Sequence, residues 1–238
     1  MRISGRKIAI TGAGRGLGAA LAIVLADAGG IPVLLGRTKI ELINTARIVE
    51  SRTDNNIDSI KCDLSVPASC ADAGKRLVDE HSNLDGIIHN GAMWLPGSIA
   101  EISDQDIQAC VASAAIGSII LTRHVLPVLL ERPEADIHTI VSTSGLTNMP
   151  LDGVSVAFRA AKSAQHGFVQ GLYDELLNTG VRVTSIYPGN IKDISPLDSE
   201  WTQPRGLDDS LTNREVIDAI VFMLNLPASA AVKELVIE

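Results

Sequence analysis

The segment KIAITGAGRGLGAALAIVLADAG, residues 7–29, constrains this chain more than any other. Residues 7–11 form a short apolar run of strand length. A turn carrying Gly12, Gly14, Gly16 and Gly18 follows, and then a helical pattern that starts on small residues. A strand that passes through such a turn directly into a helix leaves the first helical N–H groups without intrahelical acceptors, and those groups attract anions. Glycine keeps side chains out of the space in front of them and lets the backbone turn sharply. The segment therefore predicts a parallel α/β unit that receives a phosphate at its turn.

The rest of the chain repeats the alternation. Strand-like runs occur at 31–36, 57–63, 84–90, 136–144, 181–189 and 232–238, the last as an edge strand. Helical patterns fall at 16–29, 39–52, 67–81, 104–131, 155–179 and 213–225. Near-continuously apolar strands between helices predict a parallel sheet covered on both faces. The expected fold is α/β, a single Rossmann-type doubly wound domain over residues 1–238, with about seven strands. The chain is 46% hydrophobic but only 3% aromatic, so its core must be built from Ile, Leu, Val and Ala. One long irregular stretch, 192–211, follows the sixth strand and reads as a substrate lid.

Charge and composition exclude several functions. A net charge of −8 without a basic stripe argues against a nucleic-acid partner. Cys62, Cys70 and Cys110 form no CxxC pair, which suits a reducing, cytoplasmic compartment. The apolar N-terminal run leads into a glycine turn with no cleavage site, so no signal peptide is expected. The run IGSIILTRHVLPVLL is interrupted by Arg123, His124 and Pro127, and no membrane span is expected. The five histidines show no metal-ligand spacing, so no metal is assigned.

The turn reads Thr-Gly-x-x-x-Gly-x-Gly, with Gly12, Gly16 and Gly18 at the fixed positions. CDLS (62–65), HNGA (89–92) and YPGNI (187–191) follow in order. With these four motifs the sequence resembles the short-chain dehydrogenase/reductase family. The resemblance covers nearly the whole chain, although HNGA exchanges the last two residues of the family's Asn-Ala-Gly motif. It implies a dinucleotide held by Gly12, Gly14, Arg15, Gly16, Leu17, Gly18, Asp63, Leu64, Asn90, Gly91, Ala92, Lys162, Pro188, Gly189 and Ile191. NAD binders usually carry an acidic residue at the end of the second strand. Here that place is Gly36, followed by Arg37, with Arg15 in the glycine turn. Two guanidinium groups suit a 2′-phosphate, so NADP(H) is favoured over NAD(H).

The family's catalysis uses a Ser, a Tyr and a Lys, commonly with an Asn. Lys162 matches the lysine, and Ser144, taken as the end of the fifth strand, matches the serine, with Ser142 as the alternative. Ser144 precedes position 158 by one residue more than the family pattern. Phe158 occupies the tyrosine position and Ala114 the asparagine position, so two polar groups are missing. Asp193 stands where many members have a Thr. Tyr187 is expected to face the cofactor region, His166 and His89 to pack, and Tyr173 to lie too far along its helix to replace the acid. A water chain held by Ser144 and Lys162 is the alternative proton source. Met93, Trp94 and Trp201 are candidates to line the substrate pocket.

These residues imply an NADP(H)-dependent oxidoreductase acting on a small carbonyl or alcohol. A degenerate dinucleotide-binding protein, and an enzyme of altered chemistry such as double-bond reduction or elimination, are the other readings. The small-residue helices around VASAAIGS and RAAKSAQHG match the segments that form dimers and tetramers in the family, so the resemblance also implies a homodimer or homotetramer.

Overall fold

The computed structural model describes residues 2–150 and 153–238. Strands β1 (Lys7–Thr11), β2 (Ile31–Gly36), β3 (Ser59–Lys61), β4 (Gly86–His89), β5 (Ala135–Ile140), β6 (Val181–Pro188) and β7 (Glu234–Ile237) form one parallel sheet in the order β3-β2-β1-β4-β5-β6-β7. The strands therefore build a single seven-stranded α/β unit, as the sequence pattern predicts, with β7 at one edge. The order reverses between β1 and β4, which opens a crevice at the carboxyl ends of these neighbours.

Helices cover both faces. On one side α1 (Gly16–Asp27), α2 (Lys39–Glu50) and α7 (Asn213–Asn225) bury Leu21, Leu25, Leu42, Val49, Ile217 and Ile220 against Ile8 and Ile10. On the other, α3 (Pro67–Glu80), α5 (Gly117–Leu130) and α6 (Val156–Glu175) bury Leu77, Leu121, Val125 and Val169 against Ala9 and Ile87. Ala9 and its neighbours in β1 point to opposite faces because strand side chains alternate. The aliphatic core is the one that the composition requires.

The predicted helix 104–131 is not regular. It comprises α4 (Asp104–Val111), a π-helical turn (Ala112–Ile116) and α5. A methyl group on Gly117 would lie 2.6 Å from the Leu64 carbonyl oxygen, so the helix is pressed onto the loop after β3 just where the π turn ends. The run Asp104–Leu130 is long and apolar enough to cross a bilayer by length and composition alone, a test that a buried core helix also passes. In the structure it lies within the fold, with 56% of its most apolar window buried.

At the amino ends of the strands, buried Asp136 gathers three guanidinium groups. Arg2 Nη1 and Arg182 Nε each approach it to 2.7 Å, and Arg6 donates to it as well. Arg2 and Arg182 also donate to the Leu224 carbonyl at the end of α7. The chain start, β5, β6 and α7 are thus tied at one carboxylate.

Two imidazoles are sealed in the sheet. His89 meets the Thr122 hydroxyl and His138 the Thr184 hydroxyl, each at 2.8 Å. Burial pushes their pKa values down to about 3 and about 4. Between those values and 6.5 the unfolded chain binds protons that the folded chain refuses, so stability falls as pH falls. We expect a loss approaching about 1.4 kcal/mol per pH unit for each imidazole. Urea unfolding at pH 7.5, 6 and 5 measures it, and a midpoint independent of pH would refute it.

Candidate functional site

The crevice is a cavity of about 700 Å³ over the carboxyl ends of β1, β2, β3 and β4. Its floor is the glycine turn. A methyl group on Gly18 would sit 2.2 Å from the Gly12 carbonyl oxygen, and one on Gly12 would sit 2.8 Å from the Gly91 Cα. These two glycines are required by backbone packing between the first and fourth strand ends. Thr11 and Asn90 complete the brace. The Thr11 hydroxyl accepts from the Asn90 and Gly91 N–H groups at 3.0 and 2.9 Å, and Asn90 Nδ2 donates to the Thr11 carbonyl at 2.9 Å. Asn90 therefore holds the shape of the turn.

Gly16, like Gly12, has a left-handed conformation that favours glycine, with φ +54° against +67°. A methyl group there would lie 2.7 Å from Asp193 Oδ2. The Leu17 N–H, at the start of α1, favours the charged form of this same carboxylate. Close packing lifts the Asp193 pKa, and Arg15 works against that shift.

Further out, Arg15 and Arg37 line the cleft with Gly36, Thr38 and Glu41. Asp63 lines it too, but one of its oxygens is committed to the Ser65 N–H and hydroxyl at 3.0 and 2.6 Å, which closes the loop after β3. Leu64, Gly91, Ala92, Met93, Trp94 and Ser113 continue the wall. The Ser113 hydroxyl, on the π turn, accepts the Met93 N–H at 2.9 Å and so positions the loop after β4.

The second group of predicted residues lies beyond this wall. Ser155 caps α6 by accepting the Phe158 N–H at 3.1 Å. Phe158 is buried in an apolar cluster with Leu95, Cys110, Ala114, Ala157 and Ala161. The Lys162 ammonium lies 5.8 Å from the Phe158 ring centre. It donates to the Ile140 carbonyl at 3.1 Å and to Gln165 Oε1 at 2.9 Å. Burial pushes Lys162 down to about 7, with Cys110 pulling weakly the other way. A lysine so placed changes charge close to neutral pH.

A family model for short chain dehydrogenases matches residues 6–205. The chain belongs to the short-chain dehydrogenase family. An oxidoreductase of Staphylococcus saprophyticus is 27% identical, the match covering 96% of this chain and 94% of that protein. The crystal structure of a metagenomic short-chain oxidoreductase in complex with NADP superposes with a TM-score of 0.82 at 23% identity, covering 100% and 98% of the two chains. L-sorbose reductase from Gluconobacter frateurii, solved with NADPH and L-sorbose, gives 0.84 at 20% identity over 99% and 95%. At these identities the two structures establish the fold.

Within this short-chain dehydrogenase the structure brings Gly12, Gly14, Arg15, Gly16, Leu17, Gly18, Arg37, Asp63, Leu64, Asn90, Gly91 and Ala92 to one cleft. Ser144, Phe158, Lys162, Pro188, Gly189 and Ile191 do not line it. Two expectations are corrected. Strand β5 stops at Ile140, and Ser144 belongs to the 3₁₀ turn Thr143–Gly145, where its N–H is held by the Ser142 hydroxyl at 3.1 Å. Gly145 in that turn packs directly on the backbone of Lys162. Tyr187 does not face the cleft. Alternation along β6 puts it beside Ser185 under α6, and its hydroxyl meets His166 Nδ1 at 2.8 Å and Ser185 Oγ at 3.1 Å. Burial pushes the Tyr187 phenol upward, away from acid work. Glu41 and Ser113 are cleft residues that the sequence reading missed. The polar side of the first turn of α2 was a signal for Glu41. Ser113 has none, because it enters the cleft through the π turn.

Proposed function

We propose that this protein is an NADP(H)-dependent oxidoreductase of small carbonyls or alcohols, with a modified active site. The observation that carries the reading is the cleft itself: a glycine turn at a helix start, two guanidinium groups on its wall, and room for an elongated ligand. These residues fit a dinucleotide. Leu17 N–H and Gly16 would receive the pyrophosphate, Arg15 and Arg37 a 2′-phosphate, Asp63 and Leu64 the adenine, and Asn90 to Ala92, with Pro188, Gly189 and Ile191, the inner half. When bound, the dinucleotide supplies the hydride.

The remaining work falls to the chain. Lys162 holds the ribose, and Ser144 orients the substrate oxygen. Phe158 keeps the pocket apolar and provides no proton. Water held by Ser144 and Lys162 delivers the proton, more slowly than a phenol would. The family's multimers and the apolar, small-residue helices support a homodimer or homotetramer, and the irregular 192–211 segment supports a substrate lid. The three scattered, unpaired cysteines support a reducing, cytoplasmic setting.

A second reading, a dinucleotide-binding protein without turnover, is favoured by one observation. Lys162 is turned onto the Ile140 carbonyl and Gln165 and is buried away from the cleft. Calorimetric titration with NADPH and NADH, followed by a carbonyl panel, separates the two. Binding with oxidation of NADPH supports the oxidoreductase, binding alone supports the second reading, and no binding defeats both. Arg37→Asp should weaken NADPH binding about tenfold or more relative to NADH. An unchanged NADPH-to-NADH ratio would remove the 2′-phosphate assignment.

A further inference from the structure

We infer that Asp193 is the resident anion of the phosphate cradle, and that it sets how tightly the cleft takes a phosphorylated ligand. This inference rests on the dinucleotide reading for the identity of the ligand, but not for the chemistry of the cradle.

The start of α1 offers an N–H group and a partial positive charge, and one anion already uses it. The Asp193 carboxylate stands at that helix start: its Oδ2 would lie 2.7 Å from a methyl group on Gly16, and the Leu17 N–H favours its charged form. A pyrophosphate bound in the usual manner at a helix start would need the same N–H group. Arg15 is the charged group that faces Asp193 across the turn. The neighbouring Lys192 is turned to Glu200 at 2.6 Å.

The carboxylate is not there by loop drift. Both residues beside it are fixed to the start of α7. The Lys192 N–H donates to the Leu211 carbonyl at 2.9 Å, and the Asn213 N–H donates to the Lys192 carbonyl at 3.1 Å. Asn213, fully buried, receives the Ile194 N–H on its side-chain oxygen at 3.0 Å and donates to the Ile194 carbonyl at 2.9 Å. The backbone therefore presents the Asp193 side chain to the cradle from a rigid frame. An incoming phosphate must turn that side chain aside and then remain close to its charge. The residue thus lowers affinity for every ligand that places a phosphate at α1, and leaves the adenine-binding end untouched.

The test compares wild type with Asp193→Asn by calorimetric titration, using NADPH, NADH, inorganic pyrophosphate and adenosine as probes. Asp193→Asn should bind NADPH and pyrophosphate about ten- to a hundredfold more tightly, with adenosine affinity unchanged. Equal shifts for adenosine, or no tightening of NADPH and pyrophosphate, would overturn the inference. Asp193→Ser, which also removes the charge, should reproduce the result and covers a folding failure of the first variant. If neither dinucleotide binds to any form, the dinucleotide reading fails. Pyrophosphate then still decides the role of Asp193: tightening supports it, and its absence refutes it.

Discussion

Phe158→Tyr should raise the rate of carbonyl reduction by about 10²-fold or more, with NADPH affinity little changed. The new hydroxyl would extend from a ring that already stands 5.8 Å from the Lys162 ammonium. A cation at that range favours the ionised phenol, so the pair would become a tuned acid. The gain should fall toward the low end of the range that general acids supply, because Ala114 still lacks a polar side chain and the ring sits among Leu95, Cys110 and Ala161. Single-turnover oxidation of NADPH measures the chemical step directly. No gain, with the variant folded and binding NADPH, would show that the missing hydroxyl is not what limits this site. Loss of a good wild-type rate would instead indicate chemistry for which an apolar Phe158 is needed.

Asp136→Asn should destabilise the fold by about 3–5 kcal/mol, the typical loss when one member of a buried ion cluster is removed. The side chain is nearly the same size, so the change is one of charge. Arg6 and Arg182 would keep their positive charges near the amino ends of β5 and β6 without the carboxylate between them, and Arg2 would retain Glu134 and the Leu224 carbonyl. Burial alone would raise the Asp136 pKa, but the three guanidinium groups outweigh it and hold the carboxyl below its ordinary value of 3.8. Its contribution is therefore complete above about pH 4 and is lost as the pH falls through the lowered value. Urea unfolding at pH 7 with an unchanged slope, and a lower midpoint, is the expected outcome. A shift below about 1 kcal/mol would mean that the arginines find other partners.

Neither cluster was legible in the sequence to the same degree. The alternation of short apolar runs and helical patterns fixed the sheet, because each strand is buried on both faces and carries its signal locally. The glycine turn was legible for the same reason: its requirement for glycine arises within a few residues and one neighbouring strand. The Asp136 cluster was not, since Arg2, Arg6 and Arg182 become neighbours only when the first, fourth, fifth and sixth strands are laid into one sheet. The π turn at Ala112–Ile116 was also hidden, because its residues are ordinary helix formers and the extra backbone residue is accommodated by contacts with α6 and the Leu64 loop. Asp193 was visible as a departure from the family pattern, but its place against Gly16 depends on the Lys192 and Asn213 hydrogen bonds. Tyr187 was misread because its position in the chain is near the cleft while its side chain follows the pleat of β6.

The low aromatic content has an optical consequence. Of the two tryptophans, Trp94 lies on the cleft wall and Trp201 in the 3₁₀ turn of the segment that carries Asp193. Neither belongs to the layer formed by α3, α5 and α6. The ultraviolet emission of this protein therefore reports the cleft wall through Trp94 and the α1–α2–α7 layer through Trp201, and is nearly silent about the other half of its core. Ligand capture and movement of 192–211 would register in that emission even when the sheet is unperturbed, and quenching of Trp94 and Trp201 can be separated by replacing either one.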